Sequence, residues 1–223
     1  MAYIETVQPD RAVDAVREQY ERDRERLGYV PNYSRLFSLR PPVYATWRRL
    51  IGAISSPMDP RRYELVTLAA ARALRTSYCM LAHGTVLRDR FYPPEVVQAI
   101  ARDERGAGLD PVDLAVMALA AKVARDATSV TREDVEALRA LGLADAEILD
   151  VVLAAAARSF FGKVLDALGA EPDPVYLELE PGLRDALTVG RPLAGAARPL
   201  AGGRALAGGG GDETADGRGP GAA

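Results

Sequence analysis

The only cysteine and the only histidine of the chain, Cys79 and His83, lie four residues apart in the stretch RTSYCMLAHG. Residues at this spacing face the same side of an α-helix, so the thiol and the imidazole can share one surface. An imidazole in that position can accept the thiol proton or stabilise the thiolate, which is the nucleophilic form of cysteine. The pair therefore indicates a reactive site, although each residue taken alone is more often a structural part of a helix.

A predicted helix start just before Cys79 favours the reactive interpretation. Thr76 and Ser77 are both good N-cap residues, and the helical segment YCMLAHGTVLRD follows them. Cys79 is then the third residue of the helix if Thr76 is the cap, or the second if Ser77 is. In this first turn, unpaired backbone N–H groups and the positive end of the helix dipole favour a thiolate.

A carboxylate on the preceding predicted helix can complete a relay. Glu64 lies fifteen residues before Cys79, among apolar neighbours. If the two helices pack antiparallel, Glu64 approaches His83 more closely than it approaches Cys79. The expected order is Glu64, then His83, then Cys79, with Glu64 orienting the imidazole or relaying protons. Glu64 considered alone would be interpreted as a surface residue.

The composition excludes several classes of protein. The 223 residues are 48% hydrophobic and 26% charged, as in an ordinary globular protein. A net charge of −3 argues against partners such as nucleic acid or an anionic membrane. No segment has the pattern of a signal peptide or the length of a membrane span, so we expect a cytoplasmic protein. One cysteine and one histidine leave no disulfide and no zinc cluster, and we expect no metal and no cofactor.

Helical signals cover most of the chain and predict an all-α fold. Proline or capping residues precede segments with helical periodicity, over about 10–27, 41–51, 61–75, 78–89, 93–103, 110–126, 131–141 and 145–168. The stretch VYLELE, at 175–180, is the one short segment with strand-like alternation.

The predicted domain organisation is a single helical domain over 1–189 and a disordered Gly/Ala-rich tail over 190–223. The tail contains 11 of the 20 glycines and no aromatic residue. Such a segment cannot bury enough apolar surface to offset the entropy lost on ordering.

The spacing of the candidate residues resembles a known family motif. The pattern E-x11-T-x2-C-x3-H, formed by Glu64, Thr76, Cys79 and His83, is similar to E-x11-C-x2-C-x3-H. That motif belongs to the AhpD-like alkylhydroperoxidase branch of the carboxymuconolactone decarboxylase superfamily. The blocks LGYVPNYSRLFSLRPPVYATW, before the motif, and DPVDLAVMALAAKVARDATSVTREDVEALRALGLADAEILDVVLAAAARSFF, after it, resemble its peroxidase-related subgroup. The resemblance covers about residues 10–180.

The resemblance implies an AhpD-like helical domain in a homo-oligomer, commonly a trimer or a higher assembly. It implies antioxidant chemistry without metal or flavin, in which the second cysteine attacks a hydroperoxide and the first cysteine resolves the sulfenic acid. Here Thr76 occupies the position of the first cysteine, so that cycle is unavailable within the chain. Tyr78 stands where some members carry another histidine. The reductant would be a low-molecular-weight thiol, a redoxin or Cys79 of a neighbouring subunit.

Three functions are compatible with these residues. The first is a one-cysteine, thiol-dependent peroxidase-like oxidoreductase, with Cys79 as nucleophile, His83 as base or thiolate partner and Glu64 as relay. The second is a decarboxylase-like acid/base enzyme that acts on a small lactone or carboxylate through His83 and Glu64. Its substrate carboxylate would bind an arginine, for which the candidates are Arg72, Arg75 and Arg88. The third is a non-catalytic oligomeric helical protein with Cys79 and His83 sealed in its core.

Overall fold

The structure is a computed structural model that describes residues 2–193, and all regular secondary structure in this part of the chain is helical. Its α-helices are α1 (Asp14–Leu27), α2 (Asn32–Phe37), α3 (Pro41–Ser55), α4 (Pro60–Leu74), α5 (Ser77–Arg90), α6 (Pro94–Arg102), α7 (Pro111–Asp126), α8 (Arg132–Ala140), α9 (Asp145–Ala167) and α10 (Pro181–Leu187). Short 3-10 helices occupy Pro9–Arg11, Glu104–Gly106, Ala127–Ser129 and Pro174–Glu178. No strand occurs between residues 2 and 193, and the predicted all-α fold is confirmed.

The eight predicted helices are present, with shifted ends. The first of them begins at Asp14, after a separate 3-10 turn at Pro9–Arg11. The short helices α2 and α10 were not predicted. The strand-like interpretation of 175–180 is wrong, because this stretch belongs to the 3-10 helix Pro174–Glu178. Proline at the start of that turn fixes a helical φ, and Pro181 begins the next helix directly after it.

Helix α4 is the centre of the fold and packs against α5, α7 and α9. Every residue from 65 to 71 is buried, because this run of apolar and small side chains leaves no polar face in the middle of the helix. The helix ends at Arg75, which adopts the left-handed conformation with φ 58°. Only Arg75 and Thr76 separate α4 from α5, so the chain turns sharply and α5 packs against α4.

Helix α9 supports the start of α5 from the other side. It has 23 residues and packs against α3, α4 and α7. A Cβ atom at Gly162 would lie 3.1 Å from Cγ2 of Thr76, so the glycine allows the turn before α5 to approach α9 closely. The N-terminus of α5, which carries Cys79, is therefore held between two long buried helices.

The start of the predicted tail packs against the helical body. The backbone N–H of Gly190 donates to Oγ of Ser77 at 2.8 Å, and Leu193 is 2% exposed. Burial of Leu193 supplies the apolar contact that the composition of the segment did not indicate. The remainder of the predicted tail, 194–223, lies outside the described residues. Within residues 2–193, no helix is both long and apolar enough to cross a membrane.

Candidate active site

Cys79 lies in the first turn of α5 at the bottom of a cleft of about 770 Å³. Thr76 is the N-cap, so Cys79 is the third residue of the helix, one of the two alternatives that the sequence left open. The side chain is 2% exposed. A free thiol at the end of a cleft and at the positive end of a helix is placed for reaction with a small molecule.

Glu64 and His83 form a direct pair beside this cleft. Oε2 of Glu64 lies 2.6 Å from Nδ1 of His83, and their side chains are 13% and 14% exposed. Burial, assisted by the charge of Arg158, lowers the pKa of His83 below its ordinary value, and the charge of Glu64 opposes part of this effect. His83 is thus a neutral imidazole near pH 7. Its Nδ1–H donates to Glu64, which leaves Nε2 as a proton acceptor.

The hydrogen-bond partner of the Cys79 sulfur in the described part of the chain is Arg158, not His83. Nη1 of Arg158 lies 3.7 Å from Sγ of Cys79. Arg158 comes from the buried face of α9 and is itself 6% exposed. Burial alone would lower its pKa, but the neighbouring Cys79 and Tyr63 raise it, so the guanidinium stays charged. A fixed buried cation stabilises the thiolate form of the neighbouring cysteine.

Tyr63 connects the two halves of the site. Its hydroxyl group lies near Arg158, whose charge acts on its pKa, and its ring meets the ring of His83 edge-on at a centroid distance of 6.3 Å. Burial raises the pKa of Tyr63, which keeps the phenol neutral. The Arg158–Cys79 contact and the His83–Glu64 pair are therefore parts of one continuous cluster.

Thr76 has no role in capping α5 through its side chain, although it is the N-cap residue. It is fully buried and packs against Gly162. Its hydroxyl oxygen has no hydrogen-bond partner among the described residues. Thr76 thus fills the space beside Cys79 with a methyl group and a hydroxyl group, and it supplies no redox partner.

Tyr78 anchors α5 rather than serving the sulfur. Its hydroxyl group donates to the buried carboxylate of Asp173, which also accepts the backbone N–H of Asn32 at 2.8 Å. Burial, with the adjacent Asp173 charge, raises the pKa of Tyr78 well above its ordinary value. A phenol held in this way cannot exchange protons near neutral pH, so Tyr78 does not replace a second histidine.

The walls of the cleft are mainly aromatic. The rings of Trp47 and Phe161 are stacked at a centroid distance of 5.1 Å, and Tyr33 meets Phe161 edge-on at 5.6 Å. The tyrosines that line the cleft are Tyr29, Tyr33, Tyr44, Tyr63, Tyr78 and Tyr176. Such walls combine apolar surface with hydroxyl groups and suit an organic molecule of moderate size.

One wall of the cleft also carries two arginines that share a single carboxylate. Asp23 is fully buried and lies 3.2 Å from Nη1 of Arg48 and 3.7 Å from Nη2 of Arg26. The hydroxyl group of Tyr44 donates to the same carboxylate at 3.2 Å. Both arginines line the cleft, whereas Asp23 does not, so this wall presents an excess of positive charge.

Of the three arginines considered as carboxylate-binding candidates, one reaches the cleft. Arg72 and Arg75 are not among its lining residues. Arg88 lines the cleft but already pairs with Asp89 at 2.7 Å and with Glu180 at 3.3 Å.

Arg158 is the site residue that sequence reasoning missed. The stretch AARSFFGKVL was interpreted as core or subunit interface, with a pocket lining as the less favoured alternative. A signal was nevertheless present. Arg158 lies on the buried face of α9, at helical spacing from Val151, Ala155, Gly162 and Leu165. An arginine at such a position must find a partner, because an isolated buried charge is costly.

Comparisons with known proteins assign the fold. No protein-family model and no curated protein matches the chain. The solved structure of an uncharacterized peroxidase-related protein from Ralstonia eutropha JMP134, described as an alkylhydroperoxidase AhpD core, is 22% identical, with TM-score 0.72; the match covers 78% of this chain and 94% of that one. An uncharacterized peroxidase-related protein from Silicibacter sp. TM1040 is 20% identical, with TM-score 0.68. The match covers 79% of this chain and 91% of that one.

A third solved structure of similar fold is that of a debrominase. The debrominase Bmp8, in complex with 2,3,4-tribromopyrrole, is 14% identical, with TM-score 0.64, and the match covers 84% of this chain and 98% of that one. At these identities the comparisons show the fold alone. The chain has the all-α fold of the AhpD-like peroxidase-related proteins.

Proposed function

We propose that this chain is a one-cysteine, thiol-dependent peroxidase in which Cys79 reduces a hydroperoxide. The observation that carries the proposal is the contact of 3.7 Å between Sγ of Cys79 and the buried guanidinium of Arg158. A thiol in this position has a cation to stabilise its thiolate, a neutral imidazole nearby and a cleft open to solvent. The AhpD-like fold supports the proposal as an analogy.

The first half-reaction uses residues of this chain alone. His83 accepts the proton of the Cys79 thiol, while Glu64 holds the imidazole in the required tautomer. The thiolate attacks the terminal oxygen of the hydroperoxide, so a sulfur–oxygen bond forms and the oxygen–oxygen bond breaks. The leaving alkoxide takes the proton back from His83. Cys79 becomes a sulfenic acid and the hydroperoxide becomes an alcohol.

The second half-reaction needs a thiol from outside the chain. Thr76 has no sulfur, and Cys79 is the only cysteine. An external thiol condenses with the sulfenic acid, which releases water and forms a mixed disulfide. A second external thiol attacks that disulfide and restores Cys79.

Intact-mass measurement after peroxide treatment tests this proposal. We expect the wild-type protein to gain one oxygen atom, and to carry one thiol adduct when a small thiol is present. Cys79→Ser should show neither change. A wild-type protein that stays unmodified, while its denatured form is oxidised under the same conditions, would contradict the proposal.

A second candidate function is supported by the Glu64–His83 pair. A neutral imidazole aligned by a carboxylate at 2.6 Å is equally suited to move a proton on a small lactone or carboxylate. In that case Cys79→Ser keeps nearly full activity and His83→Gln abolishes it. For the peroxidase, Cys79→Ser abolishes the activity, so this variant separates the two functions. The open cleft beside Cys79 and His83 argues against a non-catalytic protein with both residues sealed in its core.

We propose in addition that the protein is a homo-oligomer, a trimer or a higher assembly. Leu149, Leu153 and Phe160 form an apolar stripe along the outer face of α9 and are 55%, 39% and 45% exposed. Contiguous exposed apolar surface of this kind is typical of subunit contacts. Light scattering should show an oligomer that Leu153→Glu dissociates, whereas Leu141→Glu, outside the stripe, does not. A wild-type monomer would contradict the proposal.

A further inference from the structure

The position of the Cys79 sulfur restricts which thiols can reach it. A disulfide requires the two Cα atoms to lie within about 7 Å of each other. Because Cys79 lines the cleft and is only 2% exposed, the backbone of a partner protein would have to enter the cleft itself. The surface cysteine of a folded redoxin, or Cys79 of a neighbouring subunit, cannot meet this requirement without opening the aromatic walls.

A small molecule meets the same requirement without any rearrangement. The cleft has a volume of about 770 Å³ and Cys79 is among its lining residues. Ligand sites for small organic molecules typically measure about 300–1,000 Å³, whereas one water-sized molecule occupies about 30 Å³. The cleft is therefore far larger than hydrogen peroxide requires and large enough for an organic thiol to enter.

Arg158 gives an independent reason to expect an anion at the sulfur. It is a buried cation that lines the cleft, and its Nε atom has no hydrogen-bond partner among the described residues. The charge of Glu64 also acts on this guanidinium, but the Glu64 carboxylate is hydrogen-bonded to His83. A thiolate that enters the cleft beside Cys79 therefore meets a buried cation that has a free N–H donor.

The charge of the cleft wall indicates what else the entering thiol carries. Arg26 and Arg48 line the cleft and share one carboxylate, that of the buried Asp23. Two guanidinium groups with one carboxylate leave one positive charge on this wall. The cleft is also lined by three carboxylates, of which Glu64 pairs with His83, Asp89 pairs with Arg88, and Glu178 is the third. A carboxylate is the group that guanidinium binds best, through two parallel hydrogen bonds.

We propose that the reductant of Cys79 is a small-molecule thiol with a carboxylate group, which enters the cleft and binds at the Arg26–Arg48 wall. The inference rests on the proposed function, since it names the reductant of that cycle. The thiolate attacks Sγ of the oxidised Cys79, a sulfur–sulfur bond forms, and hydroxide leaves as water after protonation. A second molecule of the thiol attacks the mixed disulfide, which releases Cys79 and a small-molecule disulfide. The reduction of one hydroperoxide thus consumes two thiols.

The closing experiment loads Cys79 with an uncharged thiopyridyl group from 4,4′-dithiodipyridine and needs no peroxide. We expect native protein to react with one equivalent of the reagent. Thiol attack at Sγ of Cys79 then releases thiopyridone, which is followed by its absorbance. Compared at equal thiolate concentration, 3-mercaptopropionate should react at least about ten-fold faster than 2-mercaptoethanol, as expected for one charged contact of about 1.4 kcal/mol. Reduced thioredoxin should release thiopyridone more slowly than either small thiol.

A matched pair of variants tests the charged wall. Arg48→Gln should lower the ratio of the rates for 3-mercaptopropionate and 2-mercaptoethanol several-fold. Arg49→Gln, on the same helix but outside the cleft lining, should leave that ratio unchanged. The ratio is measured within one protein, so a general loss of stability does not affect it.

Three results would overturn the inference. The first is that native Cys79 does not react with 4,4′-dithiodipyridine although the denatured protein does. The second is that thioredoxin is faster than the small thiols. The third is that Arg48→Gln does not change the ratio of the two rates. If the protein passes these tests but is not oxidised by a hydroperoxide, the peroxidase proposal is wrong and the inference about the thiol-binding site stands.

Discussion

The guanidinium of Arg158 lies 3.7 Å from the sulfur of Cys79, although 79 residues separate the two in sequence. Arg158 projects from the buried face of the longest helix, α9, and Cys79 from the first turn of α5. The sulfur therefore lies near the positive end of a helix dipole and also near a fixed positive side chain, and both favour the thiolate. The nucleophile therefore depends on packing between two helices as well as on its own local sequence.

Replacement of Arg158 should slow the chemistry of Cys79. A hydrogen bond to a charged group contributes about 1.5–3 kcal/mol, so we expect Arg158→Leu to reduce the rate of Cys79 alkylation at pH 7 by about ten-fold or more. Stability should fall as well, because the variant removes one partner of a buried polar contact. Arg158→Lys should recover part of the rate. Iodoacetamide labelling and thermal unfolding provide the two measurements, and an unchanged labelling rate in Arg158→Leu would contradict the prediction.

The pKa of the single histidine can be followed directly by NMR, because His83 gives the only imidazole signals of the chain. The charge of Glu64 raises the pKa of His83 against the larger effect of burial. We expect Glu64→Gln to move the titration midpoint of His83 to lower pH. The acid limb of the pH–rate profile should move with it. Glu136 lies on α8, away from the site, so Glu136→Gln is the control. An equal shift of the His83 midpoint in this variant would contradict the assignment of the effect to Glu64.

Stability should also depend on the protonation of His83. Burial and Arg158 hold the pKa of His83 in the folded protein below the value of 6.5 expected for the unfolded chain. The unfolded state therefore binds more protons between these two values. The free energy of unfolding should be highest above pH 6.5 and should fall as the pH falls toward the folded pKa, by at most about 1.4 kcal/mol per pH unit.

Urea unfolding of wild type and His83→Gln over the same pH series checks this dependence. Glutamine does not titrate, so the difference in slope between the two proteins isolates the contribution of His83. Parallel curves below pH 6.5 would show that His83 titrates alike in the folded and unfolded states.

The sequence predicted the local parts of the site because caps and spacing encode them. Thr76 and the segment after it defined the start of α5 and so placed Cys79 in its first turn. Glu64 was expected near His83 because two consecutive helices joined by a very short turn can pack antiparallel. The catalytic roles of these residues stay predictions.

The parts that sequence reasoning missed all depend on contacts between distant segments. Arg158 reaches Cys79 across 79 residues, and Tyr78 reaches Asp173 across 95. No local pattern specifies such pairs, because they arise only when helices pack. Leu193 is a similar case. It is 2% exposed, but its glycine-rich surroundings along the chain gave no indication that it would be buried.

Restoration of a cysteine at position 76 should give the site an internal resolving thiol. Thr76 is the N-cap of α5 and Cys79 the third residue after it, the spacing at which two side chains meet at a helix start. We expect Thr76→Cys treated with peroxide to lose two hydrogen atoms in a 76–79 disulfide instead of gaining one oxygen atom. Thr76→Ser, which keeps the hydroxyl group, should behave like wild type. A stable sulfenic acid in Thr76→Cys would show that the two side chains do not meet.

Substitution of Gly84 should loosen the contact between α5 and the final helix. A Cβ atom at Gly84 would lie 2.5 Å from Cδ2 of Leu187, which is fully buried. Alanine improves helix propensity by about 1 kcal/mol, but overpacking in a core costs about 1–3 kcal/mol, so we expect Gly84→Ala to destabilise the protein. Gly52→Ala in α3 is the matched control, because no atom lies within 4 Å of its Cβ position. This control should be stabilised.

A double-mutant cycle identifies Leu187 as the cause of the expected destabilisation. Leu187→Ala leaves a cavity and should cost about 2–5 kcal/mol alone. In the double variant, the methyl group at position 84 occupies space that the leucine has vacated, so its cost should disappear and the coupling free energy should be clearly favourable. Urea unfolding of the four proteins measures this coupling. Strictly additive effects would mean that Gly84 is required for a reason other than its contact with Leu187.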